Sequence, residues 1–335
     1  MTRARFRGFQ GALLALLLAA CAAEGAQGPV IEDQWRSITL NAEPVSLGAE
    51  EVGRLRFRGG LALSSSDAGF GGLSGMEIGQ DGRLLAVSDR GEWFSAKLRL
   101  DEAGGLIGLE EPRLALLRDL EGETPRRGED NDAEGVAQLP DGRYAVSFEH
   151  SQTIRIYDFN RDGPFGAASP GPPLGGVERL APNGGLEALA VGGDGDLIIG
   201  AERVTGRDTW IWRTAPGAHE PAAPQARYAL AFGFALVGLD RLPNGDMVAL
   251  ERFYMPTLGA RSRIVSFSEQ ALDSASGEID KQEWALLEGD LALDNFEAIS
   301  AVQNPDGGAR LYIVSDDNFS PRQRTLLYAF DVKAD

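Results

Sequence analysis

The sequence predicts an all-β chain folded as a β-propeller of six blades, with five as the alternative. Three observations lead there. A hairpin around an Asp-Gly or Asn-Gly turn occurs five times. Equivalent positions in the copies, Ser74, Glu134, Glu187, Val237 and Glu297, are separated by 60, 53, 50 and 60 residues, close to the length of one blade. Gly makes up 43 of 335 residues, well above the usual share of about 7% and in keeping with many tight turns.

The turns are Asp81-Gly82, Asp141-Gly142, Asp194-Gly195, Asn244-Gly245 and Asp306-Gly307. Such pairs favour two-residue hairpin loops because Gly accepts positive φ without steric cost. Each turn joins two apolar strands, the first with a Gly-rich entry and the second ending at an acid. Third-strand signals follow at residues 153–159, 261–267 and 325–331. Residues 42–70 are expected to supply the sixth blade, closed by the C-terminal strand. Trp93, Trp210 and Trp212 read as core between blades. The propeller is expected over residues 42–335.

The N-terminus reads differently. Arg3, Arg5 and Arg7 precede an apolar run from Gly11 to Ala20. That run is too short to span a membrane, which takes about 20 residues, and it has the shape of a secretion signal over residues 1–20. Leu18-Ala19-Ala20-Cys21 resembles the lipobox of bacterial lipoproteins. Cys21 is the sole cysteine, so internal disulfides are excluded and lipidation of Cys21 explains its position. Acylation would anchor the chain stably, with residues 21–41 as a tether. The expected location is the bacterial cell envelope. Ala22 in place of Asp favours the outer membrane on its periplasmic face. The bilayer is then a partner through the acyl anchor alone.

The chain carries 32 basic and 50 acidic residues. Removal of residues 1–20 takes three Arg and no acid, leaving 29 against 50, a net charge of −21. Nucleic acid and anionic lipid surfaces are poor partners for a chain of this sign, and no nucleic acid is expected. Metal cations are favoured, and a phosphate ester would need a cation in between.

A two-residue turn fixes which positions face each other. It places Glu134 opposite Glu149, Glu187 opposite Glu202, Glu297 opposite Asp316, Ser74 opposite Asp89 and Val237 opposite Arg252; any other turn makes these registers slip. Like charges facing across a sheet destabilise it. The acids of successive blades should meet at one rim of the central channel, so something positive must offset them. Ca2+ takes 6–8 oxygen ligands, and the candidate ligands are Asp89, Glu134, Glu149, Glu187, Glu202, Glu297 and Asp316. Arg90, Arg203 and Arg252 follow the hairpin-terminal acids. With Arg322 they are candidate clamps for a substrate oxyanion. A shared proton is the third offset, because crowded carboxylates raise one another's pKa. Glu134, Glu187, Glu297 and His150 are the candidate catalytic groups.

Other chemistries are poorly served. Two histidines exclude a His-rich zinc site, and His219 lies in a Pro/Ala-rich loop. No Gly-x-Ser-x-Gly elbow, phosphate-binding Gly loop with Lys or dinucleotide fingerprint is present.

Several segments resemble the phytase-like family, described by esterase-like activity of phytase. They are Gly71-Gly72-Leu73-Ser74-Gly75 with Ala86-Val87-Ser88-Asp89-Arg90-Gly91, and Asp132-Ala133-Glu134-Gly135-Val136 with Leu139-Pro140-Asp141-Gly142. Next come Asn183-Gly184-Gly185-Leu186-Glu187-Ala188-Leu189 and Asp294-Asn295-Phe296-Glu297-Ala298. The closing run is Val314-Ser315-Asp316-Asp317-Asn318-Phe319-Ser320 through Thr325. The likeness spans about residues 50–332 and departs from the pattern at Ala188, Ala298 and Ser74. It implies a propeller with hydrolase activity. The leading expectation is Ca2+-dependent hydrolysis of a small-molecule phosphate ester. The alternatives are a lactonase or carboxylesterase resembling gluconolactonases, for which Asn295 and Asn318 would fit, and a non-enzymatic envelope scaffold.

Overall fold

Alternating apolar strands and Gly-marked turns give five antiparallel sheets in the computed structural model, which describes residues 34–124, 132–181, 184–204, 208–255, 257–273 and 278–334. Residues 1–20 and Cys21 lie outside these, as does Asn183. The first sheet holds Leu73–Ile78, Arg83–Ser88, Glu92–Leu100 and Leu106–Leu116, with Arg36–Ser37 on its outer edge. Ala133–Gln138, Tyr144–Phe148, Thr153–Tyr157 and Ser169–Pro170 form the second. The third contains Leu186–Val191, Leu197–Ala201, Asp208–Thr214 and Ala226–Ala229. In the fourth are Ala235–Arg241, Met247–Met255, Gly259–Phe267 and Gln282–Leu287.

The fifth sheet draws on both ends of the chain. Asn295–Gln303, Ala309–Asp316 and Thr325–Val332 continue into Leu55–Ser65 and Leu40–Pro44. The first strand of each sheet packs on the first strand of the next, and the fifth returns to the first. The ring is therefore a five-bladed propeller, the alternative count rather than six. Residues 42–70 have no inner hairpin of their own. Leu55–Ser65 instead pairs with Thr325–Val332 and completes the fifth blade. Order also begins earlier than expected: Arg36–Ser37 and Leu40, placed in the tether, are strand residues.

The core is divided as the ring requires. Five apolar clusters each lie between two neighbouring blades. Trp93 sits between the first and second blades, edge-on to Tyr157 at 5.2 Å, and Trp212 between the second and third. Inner strands are buried on both faces, and so read as apolar runs such as Leu197-Ile198-Ile199 rather than as strict alternation.

All five inner hairpins use the same turn, and it is not the two-residue form. The Leu139 amide donates to the Arg143 carbonyl at 2.8 Å and the Gly142 amide to Leu139 at 2.9 Å. Pro140-Asp141-Gly142 is thus a three-residue loop, with Gly142 at φ 84°, a left-handed position that Gly fills. Leu242 and Asp246 repeat the pattern around Gly245, and Asn304 and Gly308 around Gly307. This moves the register by one residue. A β-bulge in every inner hairpin then moves it by one more. The bulged residues are Ser74, Glu134, Glu187, Val237 and Glu297. Two single slips restore the original face, because side chains alternate with a period of two.

Candidate functional site

The shifted register changes every expected pair. Glu149 lies opposite Asp132, Glu202 opposite Gly185, Asp316 opposite Asn295, Asp89 opposite Gly72 and Arg252 opposite Ala235. None of the five facing pairs of the two-residue register forms. The acids nevertheless stay on one face and converge. Burial raises the Glu134 carboxyl well above the usual range, and the charges of Glu187, Glu297, Asp132 and Glu149 add to the effect. The acids of the second, third and fifth blades therefore share one rim.

Asp132, Glu134 and Glu149 each offer a carboxylate oxygen within 4.8 Å of the others. Glu149 Oε1 accepts the Gly185 amide at 3.2 Å, and burial first, with Asp132 contributing, pushes its carboxyl up to about 7. Glu187 is raised well above its ordinary value by burial, then by Glu202 and Glu297. Glu134 is 7% exposed and Glu187 8%, yet no hydrogen bond or ion pair reaches either carboxylate among the described residues. Two largely buried acids without protein donors crowd negative charge at the rim, and hard oxygen donors grouped without His or Cys suit a hard cation.

The fifth and first blades complete the rim. Glu297 Oε1 accepts from Asn295 Nδ2 at 2.6 Å and faces Arg252 Nη1 at 3.2 Å. Burial and the nearby Glu297 push Asp316 up to about 9, although the Asn318 amide bonds it at 2.6 Å. Asp89 is pushed up to about 7 by burial; Asp132, Glu297 and Asp317 add to this and Arg90 opposes it. Its Oδ1 is buried and has no partner.

The four arginines part company. Arg252 bonds Glu202 at 3.1 Å and Asn295 at 2.8 Å as well as facing Glu297, so its guanidinium is committed to the rim. Arg203 pairs with Glu202 at 3.3 Å and is half exposed. Arg90 lies 3.2 Å over the Phe319 ring. Phe319 and Asn318 both adopt left-handed φ, 48° and 47°, which turns the ring against Gly72; a Cβ there would meet Phe319 at 2.4 Å. Arg322 is exposed on the loop beyond Phe319, and His150 is exposed after Glu149. No hydrogen bond or ion pair ties the His150 side chain to a rim acid among the described residues. Asn295 is buried in the rim while Asn318 is exposed.

Sequence reasoning missed Asp132 as a member of the carboxylate cluster and Asp317 as the brace of the Phe319 loop. Asp317 Oδ1 accepts the amides of Gly72 and Phe319, each at 3.0 Å. Proper register would have found Asp132; nothing local signals Asp317. A separate cluster lies beside the rim. Glu251, one position before Arg252, is fully buried and bonds Tyr228 Oη at 2.9 Å, Lys281 Nζ at 2.7 Å and Arg263. At the opposite mouth, Glu77, Gln138, Asp240 and Arg241 line a cavity of about 550 Å3.

Several solved structures are similar to this chain. The aldose sugar dehydrogenase of Streptomyces coelicolor, solved with PQQ bound, is 14% identical with a TM-score of 0.40, over 88% of this chain and 99% of that one. An endo-arabinase from Bacteroides thetaiotaomicron is 11% identical with a TM-score of 0.47, over 79% and 95%. Virginiamycin B lyase from Staphylococcus aureus is 11% identical with a TM-score of 0.39, over 84% and 83%. No curated protein matches the chain. The family model for phytase-like proteins, esterase-like activity of phytase, matches residues 68–319, which include every rim residue named above, and the chain belongs to that family.

Proposed function

We propose that the protein hydrolyses phosphate esters with a Ca2+ ion held by Asp132, Glu134 and Glu149. The observation that carries this reading is the pair of buried, donorless carboxylates, Glu134 and Glu187, beside that oxygen cluster. A bound cation would lower the pKa of a ligated water and offset phosphate charge. Glu187 borders the cluster from the next blade and is placed to take the proton of an attacking water. Arg90, steadied on Phe319, and Arg203 remain at the rim edge to bind the non-bridging oxygens. Asp89, beside Arg90 and titrating near 7, is suited to protonate the departing alkoxide as the P–O bond breaks. Arg252 drops out as a substrate clamp because both its Nη atoms are held by Glu202, Asn295 and Glu297 and its Nε is buried. Arg322 and His150 have no support from their exposed positions.

The test is hydrolysis of phytate and nitrophenyl phosphate by the purified protein in millimolar Ca2+, beside a panel of lactones. Phosphate release that EGTA abolishes and Ca2+ restores is the expected result. Turnover of lactones alone would replace the reading with the lactonase one, and Ca2+ binding with all substrates inert would favour a scaffold. We further propose anchorage at the cell envelope through Cys21. Substitution of Cys21 by Ser should then move the protein from the membrane fraction to the soluble one.

A further inference from the structure

In four blades the last residue of the second inner strand or the one just after it is an acid: Asp89, Glu149, Glu202 and Asp316. Each lies opposite the residue two before the bulge. The fourth blade obeys the same register, and there the position opposite Ala235 is Arg252. Glu251 is displaced by one residue, so it points away into its own cluster with Tyr228, Lys281 and Arg263. Arg252 is therefore a basic residue in an acid's place, not an extra surface charge.

Its guanidinium does what a bound cation would do on this side of the ring. It reaches Glu202 of the third blade at 3.1 Å, and Asn295 and Glu297 of the fifth at 2.8 and 3.2 Å. Its three oxygen partners come from two different blades. Glu134 and Glu187 are nine-tenths buried with no hydrogen-bond donor among the described residues, and the Arg252 guanidinium reaches them by its charge alone. Glu202 and Glu297 thus have a covalently carried cation in direct contact, whereas Glu134 and Glu187 have none.

We infer that Arg252 stands in for a second metal ion, and that its neutralisation opens a new cation site formed by Glu202, Asn295 and Glu297. The inference rests on the proposed function and deepens it, since it gives the Glu202 and Glu297 carboxylates to arginine and leaves the metal to Asp132, Glu134 and Glu149. Arginine in this role makes the charge permanent, because it does not dissociate or deprotonate. It also leaves metal, and hence substrate, to the carboxylate cluster of the second blade.

The experiment is calorimetric titration of EGTA-stripped wild type, Arg252→Gln and Arg252→Lys with Ca2+. Arg252→Gln is expected to bind one more Ca2+ per chain than wild type, and Arg252→Lys the same number as wild type. Equal stoichiometry in Arg252→Gln and wild type overturns the inference. If Arg252→Gln is unfolded without metal, its Tm in millimolar Ca2+ decides: recovery toward wild type supports the inference, and a Tm indifferent to Ca2+ overturns it. The two proposals fail separately. A wild type that binds no Ca2+ sinks the metal-dependent hydrolase, whereas the Arg252 inference turns on the difference between the proteins.

Discussion

The Glu149 amide donates to the Asp132 carbonyl at 2.9 Å, and this bond sets their two carboxylates beside Glu134. The cluster depends on Asp132 as a third oxygen donor. Asp132→Asn should weaken Ca2+ binding by roughly tenfold or more, because one charged ligand becomes neutral. Calorimetry reads this directly, with Asp280→Asn, an exposed acid, as the control. Unchanged affinity in Asp132→Asn would place the ion elsewhere.

Close approach of neighbouring blades is set by small residues after the bulge. A Cβ on Gly75 would lie 2.2 Å from the Glu134 carbonyl oxygen, which is backbone and cannot swing aside. Gly75→Ala is expected to cost about 1–3 kcal/mol as an overpacked contact. Urea unfolding should show a lower midpoint with an unchanged slope.

The buried Glu251 holds two cations, Lys281 and Arg263. Glu251→Gln leaves both without their counter-ion in a site from which water is largely excluded. Loss of one member of a buried pair costs about 3–5 kcal/mol, so the variant should lose roughly that much stability. A loss below about 1 kcal/mol would mean that water or relaxation screens the cluster.

At the opposite mouth, burial pushes Asp240 up to about 6 although the amides of Ala301 and Arg241 oppose it, and burial with the Asp240 charge raises Glu77. Both folded values exceed the unfolded ones. The folded protein therefore holds protons that the unfolded chain releases, and stability present near pH 4 is lost as pH rises through about 6. Glu77→Gln removes one of these groups. Its thermal stability should fall less steeply than that of wild type between pH 4 and 7, and exceed it above pH 7. Parallel curves for the two proteins would refute the pairing.

Much of the rim was legible because its elements are local. Asp-Gly and Asn-Gly turns mark the hairpins, and an acid ends the second strand in four of five copies. The two-residue register was wrong at every pair, yet the face was right, since a three-residue loop and a bulge displace the strands by two in total. The same error hid Asp132, which belongs opposite Glu149. It also left Arg252 looking like a substrate clamp, although both its Nη atoms are held by Glu202, Asn295 and Glu297.

The sequence by itself determined that the chain is built of repeated hairpins and that acids gather at one end of them. Short-range turn chemistry and strand alternation are enough for that. Tertiary structure decided that five blades close the ring, because whether Leu55–Ser65 starts a blade or finishes one depends on its pairing with Thr325–Val332. It also decided which acids are left without a donor, since burial and neighbouring charge come from blades far apart in the chain.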